Sequence, residues 1–218
     1  MAETPQQLPR TLWIGIVLLL VVLCMAYALS LMELNRAHQR ALPVLSPVAG
    51  FTLMNQDGRA TTLADLSNHV WIADIIFTRC AGSCPLMTAQ MRSLQDALPQ
   101  TSRAKLVTLT TDPDFDTPPV MKNYGERFGA DFNRWMFLTG SKTEIAGLAG
   151  DSLKLSAVPV KPEERRNDAD LFIHSTIFVI VDQHARLRGV FETQGDGVNW
   201  TNVQPRLITT VRQLERER

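Results

Sequence analysis

The sequence predicts an α/β domain, a mostly parallel central sheet flanked by helices and carrying a β-hairpin, behind one N-terminal transmembrane helix. Three observations predict it. Leu12 to Met32 is a run of 21 residues without a charge. Beyond it, short β-rich apolar stretches alternate with stretches whose apolar residues recur at helical spacing, as in strands joined by covering helices. Near the end, two strand-like stretches are separated only by a polar turn, the pattern of an antiparallel hairpin.

At 1.5 Å per residue the apolar run is just long enough to cross the hydrocarbon of a bilayer. Trp13 and Tyr27 are amphipathic aromatics suited to its two interfaces. Ala26-Tyr27-Ala28 has the small-x-small pattern of a cleaved leader, but the run continues apolar through Leu29, Leu31 and Met32, which favours an anchor. Arg10 on one side and Arg36 and Arg40 on the other leave the orientation open. Either reading takes the remainder out of the cytosol. The expected division is a short tail at 1–11, the anchor at 12–32, a linker at 33–48 containing Pro43, Ser46 and Pro47, and one folded domain at 49–218. Its length, roughly 170 residues, suits a single core. With 22 basic and 22 acidic residues there is no bulk charge to attract nucleic acid, and none is expected as a partner.

Within the domain, Phe51 to Met54 and Ala60 to Leu63 flank Asn55-Gln56-Asp57-Gly58, whose Asp-Gly suits a tight turn. Val70 to Phe77 is almost continuously apolar, the mark of a strand buried on both faces. Pro85 is tolerated in a helix's first turn, and Leu86, Met87, Met91, Leu94 and Leu98 follow near helical spacing until Pro99. Ala104 to Thr110 reads as a strand, Thr117 to Phe128 as a helix, Trp135 to Leu138 as a strand and Lys142 to Ala149 as a helix. Ser175 to Val181 and Leu187 to Glu192 form the hairpin, and Val203 to Arg216 an amphipathic closing helix. The order is thioredoxin-like.

Of three cysteines, Cys24 lies in the apolar run and needs no function beyond that of a small hydrophobe. Cys80 and Cys84 form C-x-x-x-C between the buried strand and its helix. In an exported domain such a pair is a disulfide, a redox couple or a soft-metal site. A helix N-terminus favours the thiolate, so Cys84 is expected to have a lowered pKa. Two thiolates suit Cu(I), and a neutral imidazole adds a ligand acceptable to Cu(I) and Cu(II). His38 falls in the linker, His69 before the first buried strand and His184 in a turn, whereas His174 immediately precedes a predicted strand whose start lies beside the cysteine loop. A lone histidine among apolar residues is more often a packing residue; the cysteine pair and the topology favour ligation by His174. Met87 and Met91 sit on the helix's apolar face and read as core. Arg79 either stabilises a thiolate or is simply solvated.

Phe77-Thr78-Arg79-Cys80-Ala81-Gly82-Ser83-Cys84-Pro85, followed by Thr111-Asp112-Pro113-Asp114-Phe115-Asp116-Thr117-Pro118 and Ile173-His174-Ser175, resembles the Sco/SenC family of copper-binding assembly proteins. The resemblance implies a membrane-anchored thioredoxin-like domain that binds one copper ion, Cu(I) or Cu(II), through Cys80, Cys84 and His174. It further implies help in assembling the CuA site of cytochrome c oxidase, with a CuA-bearing subunit or another copper protein and a thiol reductant as partners. The soluble part would then lie in the periplasm, anchored to a bacterial inner membrane, or in the equivalent intermembrane space of a mitochondrion. Helix capping is the simpler reading of Asp112 and Asp116, since Asp116 or Thr117 before Pro118 is a good N-cap arrangement; the resemblance puts their loop near the metal, where either carboxylate could support the ligands. The rival class is a membrane-anchored thiol-disulfide reductase or thiol peroxidase that uses Cys80 and Cys84 catalytically and cycles through a Cys80–Cys84 disulfide. The three-residue spacing and His174 favour copper carriage without turnover.

Overall fold

The computed structural model describes residues 10–38, 42–159 and 172–217. The chain divides at Ala41 into two units. Among the described residues the first holds one helix, α1 (Arg10–His38). Its segment Thr11–Met32 is long and apolar enough to span a bilayer, and none of it is buried against protein. The helix continues past the apolar run, so residues 33–38 are helical where a linker was expected.

The second unit, Leu42–Arg218, is the folded domain. Its elements in chain order are β1 (Ser46–Pro47), β2 (Thr52–Asn55), β3 (Ala60–Thr62), α2 (Leu63–Leu66), β4 (Trp71–Ile76), α3 (Cys84–Ala97), β5 (Lys105–Thr110), α4 (Pro118–Arg127), β6 (Trp135–Thr139) and α5 (Lys142–Ala146). A π-helical turn (Gly147–Ser152), β7 (Ala157–Pro159), β8 (Phe172–His174), β9 (Ile177–Val181), β10 (Arg186–Glu192) and α6 (Trp200–Arg216) complete it. Eight strands make one sheet in the order β1-β10-β9-β4-β5-β6-β2-β3. β4, β5 and β6 run parallel, whereas β9 lies antiparallel against β4. The thioredoxin-like reading therefore holds, with β2 and β3 added at one edge. Their turn depends on Gly58, whose φ of 72° lies in the left-handed region that costs other residues strain.

The strand period of two divides the core. Ile72 and Ile76 of β4 face α3, α4 and α6, which contribute Met87, Met91, Tyr124, Leu207 and Val211. Trp71, Ala73 and Ile75 face the opposite layer, with Leu66, Ile145 and Leu148. Met87 and Met91 are fully buried, as core packing predicts. Covering both faces of β4 explains why its sequence is nearly continuously apolar.

Two expectations about boundaries change. Ser46 and Pro47 pair with Leu187 and Arg186 of β10, and Val48 is buried, so the domain begins at Leu42 rather than residue 49. Proline-bearing extended chain suits an edge strand as well as a linker. The strand expected from Ser175 begins at Ile177, and His174 instead ends β8, paired with Ala157 of β7.

The start of the domain is fastened by Arg188. Its guanidinium donates to the carbonyls of Leu42 (2.6 Å) and Pro43 (3.3 Å), and pairs with Asp182 (2.6 Å) and Glu217 (2.7 Å), its side chain only 2% exposed. Removing one member of a buried network leaves the others desolvated and unpaired. Arg188→Ala is expected to cost about 3 kcal/mol in urea unfolding. Burial opposes ionisation of Asp182, yet hydrogen bonds from Arg186 and Arg188 hold its carboxyl below the ordinary range. This group's contribution to stability is therefore complete above the ordinary aspartate range and lost as pH falls through its lowered pKa. Asp182→Asn should flatten that part of the acid-unfolding profile.

Candidate metal centre

The site is built where β4 and β5 end together. Their parallel register pairs Ile76 with Thr110, so the chain leaving β4 as Thr78-Arg79-Cys80 runs beside the chain leaving β5 as Thr111-Asp112. The Thr111 N–H donates to the Ile76 carbonyl (2.8 Å), which joins the two loops, while the Cys80 N–H donates to the Phe77 carbonyl (3.2 Å) and closes a turn within the first.

Cys84 is the first residue of α3 and fully buried, whereas Cys80 in the preceding loop is half-buried. The two stand as thiols rather than as a disulfide. The Gly82 N–H donates to Cys80 Sγ at 3.3 Å, as expected of a sulfur prepared to carry negative charge. The Cys84 thiol is pushed far above its ordinary range, first by its hydrogen bond with Cys80 and then by burial. The lowering expected of Cys84 is not found: the hydrogen bond with Cys80 and burial outweigh the downward pull of the Phe77 backbone. Beneath the pair, Thr88 Oγ1 donates to the Cys84 carbonyl (2.9 Å) and lies 2.9 Å from the Tyr124 hydroxyl. Asp74, fully buried in β4, accepts from Thr108 (2.7 Å) and adds a smaller upward push on the Cys84 thiol.

Neither acid of the second loop acts as the helix cap expected of it. The N-cap of α4 is Thr117, with no side-chain cap hydrogen bond. Asp116 turns inward, is fully buried, and accepts from the Thr78 N–H (3.1 Å) and from the hydroxyls of Thr78 and Thr110. Burial raises its pKa despite those donors. Asp112 accepts from Arg79 Nη2 at 2.5 Å, and the same guanidinium lies 4.0 Å above the ring of Phe115. Both carboxylates thus hold the two residues that lead into Cys80. The roles of Thr78, Thr110 and Phe115 were not read from the sequence; the only available signal was the alternation of Thr108 and Thr110 in β5.

The structure therefore gathers Cys80, Cys84, Asp112 and Asp116 at one end of the sheet. His174 is placed through its backbone alone, since its side chain is outside the described residues. Among the described residues no group of three or more histidine, cysteine or acidic side chains is arranged to hold a metal. His69 is half-buried, with Nδ1 2.8 Å from the Arg103 carbonyl. His184 is exposed in the β9–β10 turn, and the side chain of His38 is outside the described residues. The donor set that is described, two adjacent sulfurs on a loop and a helix terminus, suits a soft cation.

A thioredoxin-like sheet that presents a C-x-x-x-C pair at the carboxyl end of a central strand defines a thiol-bearing protein of redox or soft-metal chemistry. The chain belongs to the SCO1/SenC family, whose model matches residues 43–206. It is 35% identical over 162 residues to a SCO1 protein homolog of Bacillus subtilis, covering 72% of this chain and 81% of that one. The solved structure of BsSco, described as a member of the Sco family of cytochrome c oxidase assembly proteins with a disulfide switch, is 26% identical. It superposes with a TM-score of 0.64 over 82% of this chain and all of that one. The fold also matches Bradyrhizobium japonicum ScoI with copper bound, at 20% identity and a TM-score of 0.64, over 78% of this chain and 99% of that one.

Replacing Asp116 by Ala strands one buried N–H and two hydroxyls and is expected to cost about 3 kcal/mol in thermal or urea unfolding. The raised pKa gives the sign of the pH effect. The folded state holds this proton more tightly than the unfolded chain, so the group's contribution is full below the ordinary carboxylate range and is lost as pH rises through the raised value. The stability of the parent relative to Asp116→Asn should therefore decline with rising pH over that window.

Proposed function

We propose that this domain carries one copper ion as cargo, held by Cys80, Cys84 and His174, and delivers it to the CuA-bearing subunit of cytochrome c oxidase. The observation that carries the reading is the pairing of two sulfurs, one half-buried and one buried, at the end of a rigid parallel sheet in a SCO1/SenC chain. The solved relative with copper bound and the Sco member tied to oxidase assembly support copper as the cargo and the oxidase as its destination. The helix α1 would tether the domain to the outer face of a bacterial inner membrane, or to the corresponding mitochondrial compartment.

Binding requires each thiol to give up its proton, and the raised Cys84 pKa makes that loss costly in the absence of metal. Copper affinity therefore falls as pH falls, because two protons compete with one ion. Cys80, the more exposed sulfur, is the one a recipient's thiolate reaches first, so transfer proceeds by ligand exchange from Cys80 inward to Cys84. Arg79, Asp112 and Asp116 hold the loop during that exchange, leaving its backbone little to reorganise.

The same difference in exposure favours a second reading, thiol-disulfide reduction of partner cysteines. There the Cys80 sulfur attacks a partner disulfide and forms a mixed disulfide, releasing one partner thiol. Cys84 then resolves it, leaving a Cys80–Cys84 disulfide and two reduced partner cysteines.

Titration of the full chain in detergent under reducing conditions separates the readings. One copper per chain is expected, lost in Cys80→Ser and Cys84→Ser, with affinity lowered at least about tenfold in His174→Ala. Unaltered affinity in His174→Ala would remove the histidine from the ligand set. Rapid disulfide turnover by a chain that binds no copper would establish the second reading.

A further inference from the structure

The ion pair between Arg79 and Asp112 does more than hold the loop. We propose that it keeps a charge bias off the copper site, with Asp112 cancelling the preference for Cu(I) that Arg79 alone would impose. The inference rests on the copper reading and concerns which ion the site selects.

Arg79 immediately precedes Cys80, which brings its backbone within one residue of a sulfur ligand. A long arginine side chain on a surface loop ordinarily samples many rotamers, but this one is fixed at two points. Nη2 lies 2.5 Å from Asp112 Oδ2, and Cζ lies 4.0 Å over the Phe115 ring. Asp112 is itself fixed: its N–H donates to Thr110 Oγ1 (2.9 Å), and its carbonyl accepts from the N–H groups of Phe115 (3.1 Å) and Asp116 (2.8 Å). Its side chain is only 11% exposed, so solvent screens the pair less than it would an open surface bridge.

The charge count gives the direction. Two thiolates and a neutral imidazole form an assembly of charge −1 with Cu(I) and of charge 0 with Cu(II). A lone cation beside the site therefore stabilises the Cu(I) assembly relative to the Cu(II) one, and a lone anion does the reverse. Arg79 and Asp112 together are neutral, so the intact pair adds little to the preference the ligands set, while loss of either member unmasks the other. Opposite shifts from two partners of one contact are a signature that a merely structural latch does not produce.

The test uses the full chain in detergent, with Cu(I) and Cu(II) affinities measured separately by competition against chromophoric chelators at one pH. Asp112→Asn should raise the ratio of Cu(I) to Cu(II) affinity about tenfold. Arg79→Gln should lower it by a similar factor, each change equivalent to about 59 mV in the one-electron couple. The double variant and Arg79→Lys should both stay within about threefold of the parent. Shifts of the same sign in the two single variants, or shifts below about threefold in both, would overturn the proposal. Should Asp112→Asn fail to fold, Arg79→Gln against Arg79→Lys decides alone, since Arg79 is half exposed and its removal leaves the core intact. A parent chain that binds neither ion overturns the copper reading and this inference together; a parent that binds copper with ratios unmoved by the variants overturns this inference only.

Discussion

The parallel register that sets Ile76 beside Thr110 is the constraint on which the site depends. Because two adjacent parallel strands end level with one another, the loops that leave them start side by side, and the loop after β4 can be held by the loop after β5. Asp116 makes the junction permanent. A buried carboxylate is costly unless it is supplied with donors, and here the donors come from Thr78 on one loop and Thr110 at the root of the other. Satisfying the carboxylate therefore requires the two loops to meet, and Cys80 inherits its position from that requirement.

The two sulfurs occupy unequal surroundings. Cys84 is sealed under the first turn of α3, with Thr88, Tyr124 and Asp74 below it, whereas Cys80 remains partly open. In such a place a second sulfur close by and the loss of water around the thiol raise its pKa, and the Phe77 backbone offsets only part of that rise. The outcome is a pair in which ionisation of the inner thiol is opposed by its hydrogen bond with Cys80 and by burial. Ion carriage and thiol exchange make the same demand, which is why the thioredoxin-like frame supports either chemistry and why the choice between them falls to residues around the sulfurs.

Much of the architecture was readable because it rests on short-range patterns. The apolar continuity of β4, the helical spacing of Met87, Met91 and Leu94 behind Pro85, and the Asp57-Gly58 turn each follow from local geometry, and each stands in the structure. The misreadings share a different origin. Ser46 and Pro47 looked like tether because their partner, β10, is about 140 residues away along the chain. Asp116 looked like a cap because capping is what an acid before Thr-Pro does locally, and its distant partner Thr78 outweighed that preference. His174 was placed just before the strand expected from Ser175, whereas pairing with Ala157 puts it at the end of a short separate strand.

By itself the sequence determined the identities that chemistry requires: a helix-length apolar run, two cysteines at a fixed spacing ahead of a proline, an acid-rich loop after the next strand, and a histidine far downstream. Such features are legible because residue type and near-neighbour spacing dictate them. Only the tertiary structure decided that Cys84 is the buried sulfur and Cys80 the open one, that Asp116 joins two loops, and that Arg79 is held between Asp112 and Phe115. Burial, desolvation and charge pairing depend on atoms brought together from distant parts of the chain, and no local pattern encodes them.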